Sequence, residues 1–316
     1  MDYVLVSLAA LCIAGQFNVN KLYSKRAPKG TLWLLLFPAA VALATIIGFL
    51  ALNGFRLRIT TFGLLMAMGF GLVSALSNAC GIMAVSKGSV GIYTTFMMLG
   101  GMLLPYLYGI IFLNEAVRVF HIIGVILLIA ALFIPLMRNK KSEKQSLNKV
   151  FVFLCSFVFI LNGLSSILTK VHQINANAMA NYDFIILENM FVFVFVAIAA
   201  AIFCLTNAVK NKRNAASPES NAPQSAEQSP TEEAVKPKIW LLVLICVAFA
   251  VFSSAGYLLL LISASKLPAS TLYPFTTGGS TILSTVIAAI IYKEKITLPI
   301  ALSLTVMLAG TVLFIF

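Results

Sequence analysis

The chain has 316 residues, 60% hydrophobic and only 10% charged, whereas an ordinary soluble domain is about one-quarter charged. Its formal charge of +12 does not describe a nucleic-acid-binding surface, because the basic residues cluster at the ends of apolar runs, where they set topology and meet anionic headgroups. The five cysteines (Cys12, Cys80, Cys155, Cys204 and Cys246) lie inside those runs and form no CxxC pair. Neither a disulfide framework nor a zinc site is therefore indicated, and the expected role is that of small apolar packers.

Between charges the chain falls into apolar runs at 3–20, 30–55, 59–86, 88–114, 119–137, 150–169, 184–206, 239–265, 267–292 and 296–316. A helix needs roughly 20 apolar residues to cross a hydrocarbon core about 30 Å thick. Backbone polar groups cannot stay unpaired in lipid, so each run is predicted to be helical. The expected fold is an all-α integral membrane protein with ten transmembrane helices.

The first run opens on "MDYV", without the basic start of a signal peptide, and is read as the first span. It carries Gln16, Asn18, Asn20 and Lys21; Asn18 and Lys21, three apart, share a face from which Asn20 is displaced. Span three holds Ser74, Ser77 and Asn78; span four opens at Lys87, carries Tyr93, Thr94, Thr95 and Gly100, and closes on Glu115. A basic link, "RNKKSEKQSLNK", leads to span six with Asn162, Ser165, Ser166 and Thr169. Span seven contains Glu188, the acid set well inside a span. An intramembrane carboxylate is by default functional, here a group for proton or ion coupling. The alternative is an acid close enough to Asp183 to be solvated at the interface.

Residues 207–238, rich in Ser, Pro, Ala and Glu, are predicted to be a disordered loop. Span eight carries Ser253, Ser254 and Tyr257. Span nine carries Tyr273, Pro274, Thr276, Thr277 and Gly278–Gly279, where the proline and glycines should loosen the hydrogen-bond ladder. Polar groups at membrane depth either face a watery cavity or join helices at about 0.6–2 kcal/mol per contact. The cavity candidates are Asn18, Asn78, Tyr93, Thr94, Asn162, Tyr257, Tyr273 and Thr276.

Shifting the chain by 179 residues lays "SKGSVGIYTTFMMLGGMLLPYLYGIIFLNE" (86–115) over "SKLPASTLYPFTTGGSTILSTVIAAIIYKE" (265–294). Lys87 then matches Lys266, Gly100 matches Gly279 and Glu115 matches Glu294, the mark of an internal repeat. The units are 1–146 and 147–316. Five spans per unit is an odd number, so the second copy enters the membrane from the opposite face, as in inverted-repeat transporters. Inversion places Lys87 beside Glu294 and Lys266 beside Glu115, two candidate gate pairs at the seam of spans four and nine. The simpler role for each glutamate is to complement the N-terminal dipole of the span that follows, worth about 0.3–1 kcal/mol.

The endings "FLNEAVRVFHIIGVILLIAALFI" and "IYKEKITLPIALSLTVMLAGTVLFIF" complete a resemblance to the ten-helix branch of the drug/metabolite transporter superfamily, with two EamA-type repeats. Asn114 and Lys293 stand where relatives often have Gly before Glu, and span two lacks the Arg that relatives commonly carry. The resemblance implies a secondary transporter in a bacterial cytoplasmic membrane. It would export or exchange a small metabolite such as an amino acid, by alternating access at a midplane cavity bordered by spans four and nine. Its partners would be the solute, the lipid bilayer and a coupling proton or ion, with no cofactor, metal or nucleic acid. No GxxxxGK[ST] loop is present to use ATP. The other classes weighed are an intramembrane enzyme on a lipid-linked substrate and a non-transporting scaffold; His121 and His172 fall near span ends rather than in a catalytic cluster. Among the basic residues, only Arg56, Arg58, Arg118, Lys170 and Lys266 follow even-numbered spans. The positive-inside rule therefore puts both termini outside the cell, whereas the resemblance implies both inside.

Overall fold

The computed structural model describes residues 2–28, 30–116, 118–138, 149–215, 239–293 and 296–316. Among them the apolar runs become α1 (Asp2–Arg26), α2 (Thr31–Leu52), α3 (Thr61–Val85), α4 (Val90–Phe112), α5 (Val119–Arg138), α6 (Lys149–Ile174), α7 (Asn181–Ala215), α8 (Ile239–Ala264), α9 (Ala269–Tyr292) and α10 (Leu298–Val312). Nine helices among the described residues are long and apolar enough to cross a bilayer; α5 contributes a shorter apolar stretch, Val119–Pro135. The chain is an α-helical, multi-pass membrane protein.

The sequence places the end of span seven at 206, but α7 continues to Ala215. Residues 207–215 contain neither proline nor glycine, and the first proline beyond them is Pro218. Nothing in that stretch breaks a helix already nucleated in the membrane. The rest of the loop expected to be disordered, and the 146/147 boundary between units, lie outside the described residues.

Outward faces such as Ile47, Phe153, Val251 and Ile290 are apolar and exposed, suited to lipid. Lipid is as apolar as leucine, so helices associate through close packing rather than by escape from solvent. Small residues supply that packing where α4 meets α6 (Gly100, Gly163) and where α5 meets α10 (Gly124, Gly310). The most extensive contacts all join one half of the chain to the other: α1 to α8 and α9, α4 to α6 and α9, α2 to α7, α3 to α6 and α7, and α5 to α10. Exchanging each helix for the one five places along turns α1·α8 into α3·α6, α1·α9 into α4·α6 and α2·α8 into α3·α7, and every member of these pairs is in contact.

Asn114 and Lys293 have φ of 51° and 52°, the left-handed conformation that favours glycine. Asn114 and Lys293 are thus the same backbone feature at the ends of α4 and α9. Asparagine tolerates it, but lysine is strained by about 1–2 kcal/mol. Lys293→Gly recovers that strain less the entropy glycine loses on folding, a net gain of about 0.5–1 kcal/mol. A rise in the melting temperature of the solubilised protein checks this; an unchanged or lower value contradicts it.

Candidate functional site

Six helices enclose a cavity of about 880 Å³. α1 contributes Gln16, Asn20 and Ser24; α2 contributes Phe37, Pro38 and Thr45; α3 contributes Phe70, Ser74 and Asn78; α4 contributes Tyr93. Glu188 and Asn189 come from α7, and Phe249, Ser253, Ser254 and Tyr257 from α8. A hydrogen bond of 3.0 Å between Thr45 and Ser254 ties α2 to α8 across the wall. The lining reaches Ser24, Leu34, Val85 and Val90, exposed residues at the end of the bundle where α1 and α3 finish and α2 and α4 begin.

The opposite end is closed. Phe49, Met179, Phe184, Ile185, Ile186 and Leu261 pack into one buried cluster below Glu188. The Asn53 amide donates to Asp183 Oδ1 at 2.7 Å and the Thr60 hydroxyl to the Asn177 carbonyl at 3.1 Å, tying the α2–α3 connection to the start of α7. His172, wholly buried, stacks on Phe184 with centroids 3.7 Å apart, and its Nε2 accepts the Met179 N–H at 3.1 Å.

Glu188 sits between the seal and the open volume. It is 2% exposed, so it is not an interfacial, solvated acid; Phe184 to Leu187 just before it are buried against Phe49 of α2, Ala67 of α3 and Leu261 of α8. The Tyr257 hydroxyl donates to Glu188 Oε2 at 2.9 Å, and the Thr169 hydroxyl lies 3.1 Å from the Tyr257 oxygen. α6, α7 and α8 thereby share one buried polar chain.

Of the eight cavity candidates, Asn78, Tyr93 and Tyr257 line the cavity. The Asn78 amide donates to the Ser74 carbonyl at 2.9 Å, and the Tyr93 hydroxyl points to Met97 Sδ at 3.7 Å. Three others join helices instead. The Asn18 amide donates to the Ser284 carbonyl at 3.1 Å, the Asn162 amide to the Met97 carbonyl at 2.7 Å, and the Tyr273 hydroxyl to the Ser166 carbonyl at 2.6 Å. Asn18 Oδ1 is buried with no hydrogen-bond partner among the described residues. Thr94 and Thr276 bond back to their own helices, at Gly91 and Leu272. No α9 residue is among those lining the cavity.

Of the expected gate pairs, Lys266 and Glu115 have other partners. Lys266 faces Asp2 at 3.7 Å in an exposed pair, a geometry worth about 0–1 kcal/mol. Glu115 turns to backbone: Oε1 accepts the Ala269 N–H at 2.7 Å and Oε2 the Ser270 N–H at 2.8 Å. It therefore complements a helix dipole, but that of α9 rather than of the following α5. A carboxylate with two unpaired amides in line satisfies both, whereas a lysine at the exposed turn keeps its hydration. Lys87 is exposed at the end of α3, and its expected partner Glu294 lies outside the described residues.

Several residues escaped the sequence reading. Lys170, counted there as a loop cation, is 5% exposed and donates to the Ala264 and Leu267 carbonyls at 2.7 and 2.6 Å. Asn53, Thr45 and Asn189 were passed over, although Asn189 adjoins Glu188 in sequence. Gln16 and Asn20 carried a usable signal: four apart, they share the helix face opposite to Asn18.

No protein-family model and no curated protein matches the chain. A protein of known crystal structure superposes on 99% of this chain and 96% of its own at a TM-score of 0.68, with 14% identity. That likeness is one of fold alone.

Proposed function

We propose that the chain is a secondary transporter, moving a small metabolite such as an amino acid by alternating access through this cavity. The observation that carries the reading is a cavity within the spanning bundle that is open at one end and closed at the other by the Phe49–Phe184 cluster. In this reading the two halves are repeats of inverted topology, as in drug/metabolite transporters with EamA-type repeats. The exchange symmetry of the helix neighbours supports it. So does the packing of the matched glycines, since Gly100 meets α6 at Phe159 while Gly279 meets α1 at Ala10, and α1 and α6 are themselves counterparts. Asn78, Tyr93 and Tyr257 are the proposed solute contacts and Glu188 the coupling group. A bacterial cytoplasmic membrane is the proposed location.

Transport is tested with purified protein. A metabolite screen should find a solute that raises the melting temperature, by an amount equivalent to about 2.7 kcal/mol at 100 times its Kd. The same solute should then cross proteoliposome membranes only when the protein is present. A solute that stabilises the protein and is not carried would count against transport.

A further inference from the structure

The charges around the cavity have one sign. Glu188 is the charged residue in its lining, and no described Lys, Arg or His reaches that surface. The groups packed about Glu188 are accounted for. α8 presents Tyr257, which donates to it. On α6, Thr169 meets Tyr257, Lys170 is engaged by two carbonyls, and His172 is stacked on Phe184. On α7 itself, Asp183 accepts from Asn53 and Tyr182 packs edge-on to Phe49. α2 has no titratable residue; Cys80 of α3 packs with the Ala84–Phe151 cluster. Tyr273 of α9 is committed to the Ser166 carbonyl. No fixed cation among the described residues therefore faces this carboxylate.

The walls supply a second observation. Phe37, Phe70, Tyr93, Phe249 and Tyr257 turn aromatic rings to the cavity, with Phe70 and Tyr257 centroids 5.8 Å apart and Phe37 and Phe249 centroids 4.9 Å apart. Aromatic faces attract ammonium groups, and more strongly where water is excluded. A carboxylate enclosed at membrane depth is costly unless it is neutralised, and here the neutralising group has to be mobile. An anionic solute would meet the carboxylate with no countercharge to offset it.

Resting on the transporter reading, we infer that the solute is an amphipathic organic cation, an ammonium on an apolar or aromatic body, and that it exchanges with a proton at Glu188. The exchange balances: the protonated carboxyl releases H⁺ to water, and the carboxylate left behind pairs with the incoming ammonium, with no other bond made or broken. One monovalent cation then replaces one proton, and the two compete for a single site on opposite strokes of the cycle.

The test uses three probes of similar size on the purified full chain: benzyltrimethylammonium, neutral N,N-dimethylbenzamide and anionic benzenesulfonate. Calorimetry in buffers of different ionisation enthalpy gives affinity and proton release together. The cation should bind roughly tenfold or more tightly than either other probe. It should release about one proton where Glu188 starts protonated, with affinity falling as the pH is lowered. Glu188→Gln should abolish proton release and the preference for the cation. Equal binding of the three probes, preference for the anion, no cation binding, or cation binding without proton release each overturns the inference. Wild-type preference and proton count decide the matter alone if Glu188→Gln does not fold. Cation binding with proton release but no flux in proteoliposomes removes transport and keeps the site. Flux of a neutral or anionic solute without cation binding removes the cation site and keeps transport.

Discussion

Gly100→Ala should cost about 3 kcal/mol of stability, seen as a marked fall in the melting temperature of the solubilised protein. A Cβ at this position would lie 2.0 Å from the Phe159 carbonyl oxygen and 2.7 Å from its Cα. Both are backbone atoms of α6, which cannot rotate aside as a side chain can. The contact is closed from the other side too, because a Cβ on Gly163 would come within 2.7 Å of the Gly100 carbonyl oxygen. The methyl group must therefore push α4 and α6 apart, and α4 carries Tyr93 into the cavity wall seven residues earlier. Gly48→Ala on α2 is the control, since nothing lies within 4 Å of its added Cβ. There the helix propensity of alanine acts unopposed and stabilises by up to about 1 kcal/mol. Two alanines in two helices with effects of opposite sign separate packing from propensity. A Gly100→Ala protein as stable as the wild type would show that α4 and α6 do not approach this closely.

Glu115→Ala is the second large effect, at about 2–3 kcal/mol. The corner from Ala264 to Ser270 joins the carbonyl end of α8 to the amide end of α9. Helix ends leave these groups unpaired within the helix and carry opposite partial charges. Lys170 serves the carbonyls at Ala264 and Leu267, and Glu115 serves the amides at Ala269 and Ser270. The two side chains also interact electrostatically. Removing the carboxylate strands two amides and deprives a buried ammonium of its neighbouring acid. Glu115→Gln keeps a neutral acceptor oxygen and should cost less than the alanine. A double-mutant cycle of Glu115→Gln with Lys170→Met should give a coupling of about 0.5–3 kcal/mol. Strict additivity in unfolding measurements would mean that the corner is held by two independent caps.

Much of the fold can be read in the chain because lipid leaves a helix few alternatives. Each span must be largely apolar, so runs between charges mark where α1 to α10 lie. The largest differences are at the ends of α1, α6 and α7, where the helix continues past the apolar run to Arg26, Ile174 and Ala215, because leaving the membrane does not end a helix. The matched pairs Asn114–Glu115 and Lys293–Glu294 are legible at equal spacing in the sequence, and the left-handed conformation of Asn114 and Lys293 shows that a special backbone position exists at both.

Facing was not legible. On a helix apolar along most of its length the few polar residues do not say which face meets a solute, so the sequence offers Asn18 rather than Gln16 as the cavity candidate. Only the packed bundle turns Gln16 and Asn20 to the cavity and Asn18 to α9. Nor does local sequence say that Asn53 meets Asp183 across 130 residues, or that Lys170 ends inside the protein. Composition and spacing by themselves determine that this is a multi-pass helical membrane protein, because insertion into lipid acts on each segment separately. The tertiary structure decides which polar groups share a cavity, which end of it is closed, and that Glu115 caps α9, because those outcomes depend on helix rotation and on neighbours distant in the chain.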